Sequence, residues 1–220
     1  MNTPRSTPPG RPRGFDVDEA LDSAMRVFWQ NGYEGASLPD LTDAMGISRT
    51  SMYAAFGNKE DLFRKALARY AEGPASYGVE AVAEPTALEV ATSFLHGAVR
   101  SSTLPDYPSG CLSLRASLLG GESGQAIREL LASWRDENET MLSDRFQKSV
   151  DDGDLPTGTD PRLLARYVMT IGNGLAIQAA GGARRTDLQV IADAVLHSWP
   201  PLLSRAGDGR RFPNGDRDRG

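Results

Sequence analysis

Two glycines, Gly46 and Gly57, enclose a short polar segment near residue 50, and their spacing restricts how the chain can fold. The stretch reads GISRTSMYAAFGNKEDLF from Gly46 to Phe63. Glycine readily adopts the positive φ at which many helices end, so each of the two predicts a turn. The segment between them has room for only about two helical turns. A longer amphipathic helix would bury more apolar surface, so the polar side chains of this short helix need another explanation.

Apolar residues recur at helical spacing along most of the chain, and patterns typical of strands are nearly absent. Asp16, Ser37, Asn58 and Asp160 stand where helix N-caps are expected. We therefore predict an all-α fold of about nine helices. Their predicted ranges are 17–31, 38–45, 48–56, 59–72, 86–100, 111–119, 123–150, 161–180 and 187–199.

These helices suggest four successive parts of the chain. Residues 1–14 form a flexible arm that is rich in arginine and proline, and residues 15–72 form an N-terminal unit of short helices. Residues 73–204 form a larger helical C-terminal domain. Residues 205–220 are polar and rich in Gly, Arg and Asp, which is typical of a disordered tail.

The two helices on either side of Gly46 predict a helix-turn-helix over about residues 36–56. Arg49 and Tyr53 are four residues apart, so they share a face of the second helix. Met52 and Phe56 can hold the opposite face on the core. The DNA major groove accepts an α-helix and presents hydrogen-bonding groups at the base edges. A polar face on this short helix is therefore suited to double-stranded DNA.

The chain resembles the TetR/AcrR family of transcriptional regulators over residues 24–63, AMRVFWQNGYEGASLPDLTDAMGISRTSMYAAFGNKEDLF. The resemblance covers about the first third of the chain. It departs from the family pattern at Ala55, where an aromatic residue or histidine often stands. The resemblance implies phosphate contacts from Ser37, Tyr53 and Lys59, and contacts to bases or backbone from Arg49, Thr50 and Ser51. Ser48 is a further candidate, because a residue that caps a helix can also contact phosphate.

Four of these residues also have an ordinary structural interpretation. Tyr53 could be a half-buried core residue, Ser37 and Ser48 could serve only as helix caps, and Lys59 could be a solvated charge. The charge balance also leaves an alternative open, because residues 15–72 contain six basic and ten acidic side chains. A helical protein–protein adaptor would fit that balance. Salt separates the two classes, since DNA binding weakens steeply as salt rises.

The resemblance also implies a homodimer formed by the last two helices. Residues for that interface are Leu164, Val168, Ile171, Leu175, Val190, Ala194 and Val195; the alternative is that they form an ordinary intrachain core. The C-terminal helices could also enclose a pocket for an apolar or aromatic effector. Candidate lining residues are Phe94, Cys111, Leu114, Arg115, Trp134 and Tyr167, any of which could instead be core.

The same sequence argues against several other classes of protein. It contains no Ser/His/Asp set, phosphate-binding loop, paired metal ligands or cofactor fingerprint, so we expect neither an enzyme nor a cofactor or metal. No apolar run approaches the roughly 18 residues of a membrane span. One cysteine and the lack of an apolar leader suggest the cytoplasm.

The predicted function is a ligand-responsive transcriptional regulator, a repressor that a small molecule releases from a palindromic operator. An activator and a regulator without a ligand remain variants of that hypothesis.

Overall fold

The computed structural model describes residues 14–118 and 125–201. The arginines of the predicted arm (Arg5, Arg11 and Arg13) and the predicted tail, residues 205–220, lie outside the described residues. The regular structure of the described ranges is entirely helical, which confirms the predicted fold class. The helices are α1 (Val17–Gly35), α2 (Leu38–Met45), α3 (Arg49–Phe56), α4 (Lys59–Glu72), α5 (Tyr77–Ala81), α6 (Ala87–Ser102), α7 (Leu112–Leu118), α8 (Gln125–Asp151), α9 (Pro161–Ala180) and α10 (Arg185–His197).

Side-chain caps set the starts of the first four helices, as the sequence predicted. The side chains of Asp16, Ser37, Ser48 and Asn58 each accept a hydrogen bond from a backbone N–H in the first turn of the following helix. Gly46 ends α2 with φ 65°, a left-handed conformation that favours glycine. The backbone of α1 leaves helical geometry at Gly32, close to the predicted helix end.

Ser37→Ala is expected to lower the free energy of unfolding by about 1 kcal/mol, because it removes the cap of α2. In the native chain the Ser37 hydroxyl oxygen accepts from Asp40 N at 3.2 Å, and Asp40 Oδ2 accepts from Ser37 N at 3.1 Å. Urea unfolding followed by circular dichroism measures the change. Ser23→Ala is the control, since that hydroxyl only donates to the Glu19 carbonyl within α1. Equal effects of the two substitutions would contradict the capping role.

Two hydrophobic cores organise the chain. The first joins α1–α4, which we call the head, to side chains of α7 and α8 that include Leu112, Ala116, Ile127 and Leu131. The second is built mainly from α6, the C-terminal half of α8, α9 and α10. The division predicted at residue 72 stays a prediction, and the first core extends beyond it. The head is therefore packed directly against helices of the C-terminal half.

The sequence prediction missed α5. This helix has only five residues, Tyr77–Ala81, and its N-cap residue, Ser76, makes no side-chain cap hydrogen bond. A helix so short gives no apolar period that a sequence pattern could reveal. Its position depends on packing against α6, where the Tyr77 ring meets Phe94 edge-on with centroids 5.3 Å apart.

Candidate nucleic-acid interface

Helix α3 is held on the first core by two side chains and presents its other face to solvent. Met52 is completely buried and Phe56 is 2% exposed. On the opposite face Arg49 and Thr50 are exposed, and Tyr53 is 42% exposed. The interpretation of Tyr53 as a core residue is therefore wrong. The amphipathic pattern of α3 places its polar side chains where a duplex could reach them.

Arg49 and Tyr53 form a pair on the exposed face of α3. Arg49 Nη2 donates to Tyr53 Oη at 3.4 Å, and the guanidinium carbon lies 5.6 Å from the centre of the tyrosine ring. Arg49 makes no salt bridge with a carboxylate of the described residues, so its charge is available to an anionic partner. The tyrosine ring supports the arginine without neutralising it, because a cation is attracted to the face of an aromatic ring.

Three predicted contact residues flank this pair and also stabilise helix starts. Ser48 Oγ accepts from Ser51 N at 3.1 Å and lies 2.9 Å from Ser51 Oγ, at the start of α3. Ser37 caps α2 with its hydroxyl donating to Asp40 Oδ2 at 2.6 Å, and this bond lowers the pKa of the Asp40 carboxyl. Capping and phosphate contact are compatible, because a serine hydroxyl has more than one hydrogen-bonding position.

Lys59 begins α4 and is half-buried. Its Nζ lies 4.5 Å from the centre of the Tyr33 ring, on the neighbouring part of α1. Burial lowers the pKa of this amine, and the nearby Glu34 carboxylate opposes that change. Lys59 is therefore not the freely solvated charge of the alternative interpretation. Its ring contact holds the amine at the N-terminus of α4, where free backbone N–H groups favour an anion.

Many acidic side chains of the head form ion pairs or helix caps. The net negative charge of the head is therefore a weaker argument against DNA binding. Asp22 accepts from Arg69 at 2.9 Å, and Glu60 pairs with Arg64 at 2.7 Å. Asp40 and Asp61 belong to the capping boxes of α2 and α4. These carboxylates lie at helix starts and in ion pairs. The local charge beside Arg49 therefore differs from the charge of the whole head.

The position where the chain departs from the family pattern lies at the edge of this face. Ala55 is partly buried and packs against the first core. A methyl group cannot donate a hydrogen bond to phosphate. The contact expected from an aromatic residue or histidine at this position is therefore absent from α3.

Known regulators are similar to this chain in sequence. The family model described as bacterial regulatory proteins, tetR family, matches residues 20–66. The HTH-type transcriptional repressor ComR of Escherichia coli K12 is 35% identical over 197 residues, which are 88% of this chain and 93% of ComR. The chain belongs to the TetR family. Its family makes it a helix-turn-helix transcriptional regulator that binds DNA, in agreement with the exposed polar face of α3.

Other members of the TetR family match over most of their length. The HTH-type transcriptional repressor AcnR of Corynebacterium glutamicum is 31% identical over 180 residues, covering 80% of this chain and 88% of AcnR. A structure of a cysteine mutant of the TetR family regulator CifR, in complex with 26-bp double-strand operator DNA, superposes with a TM-score of 0.81. That structure is 41% identical in sequence and covers 86% of this chain and 100% of CifR. Within the described ranges, no helix is long and apolar enough to cross a membrane.

The predicted dimer residues divide into two groups in this TetR family chain. Leu164, Val168 and Leu175 are at most 3% exposed and belong to the second core. Their assignment to the dimer interface is therefore corrected. They are core residues within the chain, because this side of α9 packs on α6 and α8 and cannot reach another chain. Ile171 and Val195 are half-buried against the same core, whereas Val190 and Ala194 face solvent. Ile191, which belongs to the apolar stripe that the sequence predicts for the last helix, is 49% exposed, and sequence reasoning missed Ile177, which is 52% exposed.

The predicted pocket residues are distributed over both cores. Phe94 and Tyr167 belong to the second core, and Cys111 and Trp134 pack against the first. Leu114 and Arg115 lie on α7, where Arg115 Nη1 donates to the Gln30 carbonyl of α1 at 2.8 Å. Cys111 Sγ accepts from the Tyr70 hydroxyl at 3.3 Å and lies 3.1 Å from Ser113 Oγ. These contacts give several of the six residues structural roles.

Proposed function

We propose that this TetR family regulator is a repressor that binds a palindromic operator as a homodimer and that a small molecule releases it. The observation that carries the proposal is the exposed face of α3, where Arg49 and Tyr53 are paired with each other and with no carboxylate of the described residues. ComR and AcnR, both named transcriptional repressors, support the direction of regulation. In this proposal Arg49, Thr50 and Ser51 contact bases or backbone, and Ser37, Ser48, Tyr53 and Lys59 contact phosphates.

A dimer meets a physical requirement of this proposal. One short helix provides few base contacts and binds weakly. Two such helices separated by one helical turn of DNA, about 34 Å, fix the register and multiply the affinity. The outer faces of α9 and α10 supply an apolar surface for the partner, with Ile177, Val190 and Ile191 exposed. The proposed interface is this surface, together with Ala194.

Release by a small molecule follows from linkage between two binding sites. A ligand that prefers the state in which the two heads are misplaced weakens DNA binding, and DNA weakens ligand binding by the same factor. A hundredfold release requires a preference of about 2.7 kcal/mol between the two states. The head shares its core with α7 and α8. A movement of the C-terminal helices can therefore be transmitted to α3 through side chains that are in contact.

Selection of bound sequences from random double-stranded DNA tests the proposal. We expect an enriched palindrome whose half-sites are about one helical turn apart. The affinity for that sequence should fall steeply between about 50 and 200 mM salt, because phosphate contacts release counterions. No enrichment, or binding that does not change with salt, would contradict the proposed function and favour a protein–protein adaptor.

A further inference from the structure

Thr50 and Ala54 lie at the centre of the exposed face of α3, and we call their methyl groups the methyl pair. An α-helix turns about 100° per residue, so two residues that are four apart lie within about 40° of each other. The direction midway between Thr50 and Ala54 is about 160° from the direction midway between Met52 and Phe56, which are buried in the first core. Both residues of the methyl pair are exposed. They therefore point directly away from the core.

The longer polar side chains of α3 lie on the two flanks of the methyl pair. Arg49 and Tyr53 contact each other on one flank. On the other flank, the Ser51 hydroxyl lies 2.9 Å from the Ser48 hydroxyl at the start of the helix. Neither of these contacts covers the methyl pair. The centre of the face is therefore a small surface made of two methyl groups and one threonine hydroxyl.

The small size of these two side chains determines how closely α3 can approach the bases. The major groove is about 12 Å wide and about 8.5 Å deep, and a helix with its side chains is about 10–12 Å across. A long side chain at the centre of the face would hold the helix backbone away from the floor of the groove. Two short side chains let the backbone approach until their methyl groups touch the base edges. Arg49 reaches the same floor from its flank through the length of its side chain.

Thymine is the base whose major-groove edge suits a methyl group. It carries a C5-methyl group there, whereas the other three bases present hydrogen-bond donors and acceptors. A methyl group that covers a donor or acceptor removes water from it and supplies no hydrogen bond in return, which is unfavourable. Contact with the thymine methyl instead buries apolar surface of both partners. The methyl pair therefore favours thymine over the other bases.

We propose that the methyl pair contacts the C5-methyl group of a thymine in each half-site of the operator, which makes Thr50 and Ala54 specificity-determining residues. This inference rests on the proposed function, because it states which base that function recognises. Ala54 lies five residues beyond Arg49, a rise of about 7.5 Å along the helix. This rise spans only about two base pairs at a spacing of about 3.4 Å. The thymine therefore lies in the same half-site as the base that Arg49 contacts.

The test uses the full chain and the palindrome that selection from random double-stranded DNA yields. Each thymine of one half-site is replaced in turn by deoxyuridine, which lacks only the C5-methyl group, and the same replacement is made in the other half-site. Burial of one methyl group contributes about fourfold, so the symmetric replacement at the contacted thymine is expected to weaken binding about fifteenfold. Mobility shifts measure the ratio of the two affinities, which we call the thymine preference.

Two variants test whether the methyl pair causes the thymine preference. Ala54→Gly and Thr50→Ser each remove one methyl group, and Thr50→Ser keeps the hydroxyl. Each should reduce the preference from about fifteenfold to about fourfold, because half of the methyl contact remains. The double variant should bind the thymine and deoxyuridine operators equally.

Ala55→Gly is the matched control, because it makes the same change at the neighbouring residue, which packs against the first core. It should leave the thymine preference unchanged. A loss of helix stability lowers the affinity for both operators by the same factor, so it cancels in the ratio. Circular dichroism verifies that each variant is folded.

The possible outcomes separate this inference from the proposed function. A half-site without thymine, affinity that deoxyuridine does not change at any thymine, or a preference that persists in the double variant would overturn the inference. In each of these cases the chain still binds a palindrome, and the proposed function stands. A chain that selects no palindrome loses both, because there is then no operator whose bases the methyl pair could contact.

Discussion

Replacing Arg49 by alanine is expected to weaken operator binding by roughly tenfold to a hundredfold and to relax the preference at particular base pairs. Arg49 is the exposed cation of α3, and its guanidinium is held by Tyr53 at 3.4 Å without a carboxylate partner among the described residues. Arginine can donate two hydrogen bonds to one guanine, and alanine can donate none. Mobility shifts on the selected operator, and on operators with single base-pair changes, measure both effects.

Two further variants separate base contact from charge alone. Tyr53→Phe keeps the ring and removes the hydroxyl, so it should weaken binding to all sequences by a similar factor, as expected for a phosphate contact. Arg64→Ala removes one positive charge from the head, but that charge is already paired with Glu60. It should change operator affinity little. If Arg49→Ala and Arg64→Ala had equal effects and neither changed base preference, Arg49 would contribute only general charge.

The face of α3 could be predicted because its determinants are local in sequence. Glycine ends α2, serine begins α3, and the four-residue spacing of Arg49 and Tyr53 places them on one side of a helix. The burial of Met52 and Phe56 follows from the same periodicity. Each of these properties depends on residues within about two turns of helix. Sequence reasoning therefore located the candidate DNA interface without knowledge of the remaining chain.

The location of a cavity could not be predicted because its determinants are distant in sequence. A cavity of about 450 Å³ depends on the placement of α5, which has no periodic pattern, against the end of α6 and the segment containing Tyr107. None of the six pocket residues predicted from the sequence lines it. Arg26 and Asp106 are joined by a hydrogen bond although 80 positions separate them in the chain. Large apolar side chains such as Phe94 and Trp134 identify a core in the sequence. They do not show where that core leaves space.

The residues of the dimer interface could be predicted only in part. Helix α9 is apolar around much of its circumference, so periodicity alone does not show which apolar side faces another chain. The structure places Gly172 against Phe94 of α6, where an added Cβ would lie 3.1 Å from the ring, whereas Gly174 faces open space. On the side of α9 that faces α6, a small residue thus allows the two helices of the same chain to pack closely. Ile177 lies on the side that remains uncovered.

Val190→Glu is expected to dissociate the proposed dimer and to lower operator affinity on the order of a hundredfold, because two linked heads bind far more tightly than one. Val190 is 67% exposed in the single chain, so a glutamate there remains solvated in the monomer and leaves its fold intact. In a dimer formed through α9 and α10, the same carboxylate would be buried against an apolar partner surface. Such burial of an unpaired charge is strongly unfavourable. Sedimentation equilibrium gives the oligomeric state, and mobility shifts give the affinity.

Val79→Glu is the matched control, because Val79 is 65% exposed and lies on α5, away from α9 and α10. It makes the same chemical change at nearly the same exposure, so any general effect of added negative charge on DNA binding appears in both variants. Only Val190→Glu should also produce monomers. A Val190→Glu protein that remains dimeric would show that the outer face of α9 and α10 is not the interface. The two heads would then have to be brought together by another surface of the chain.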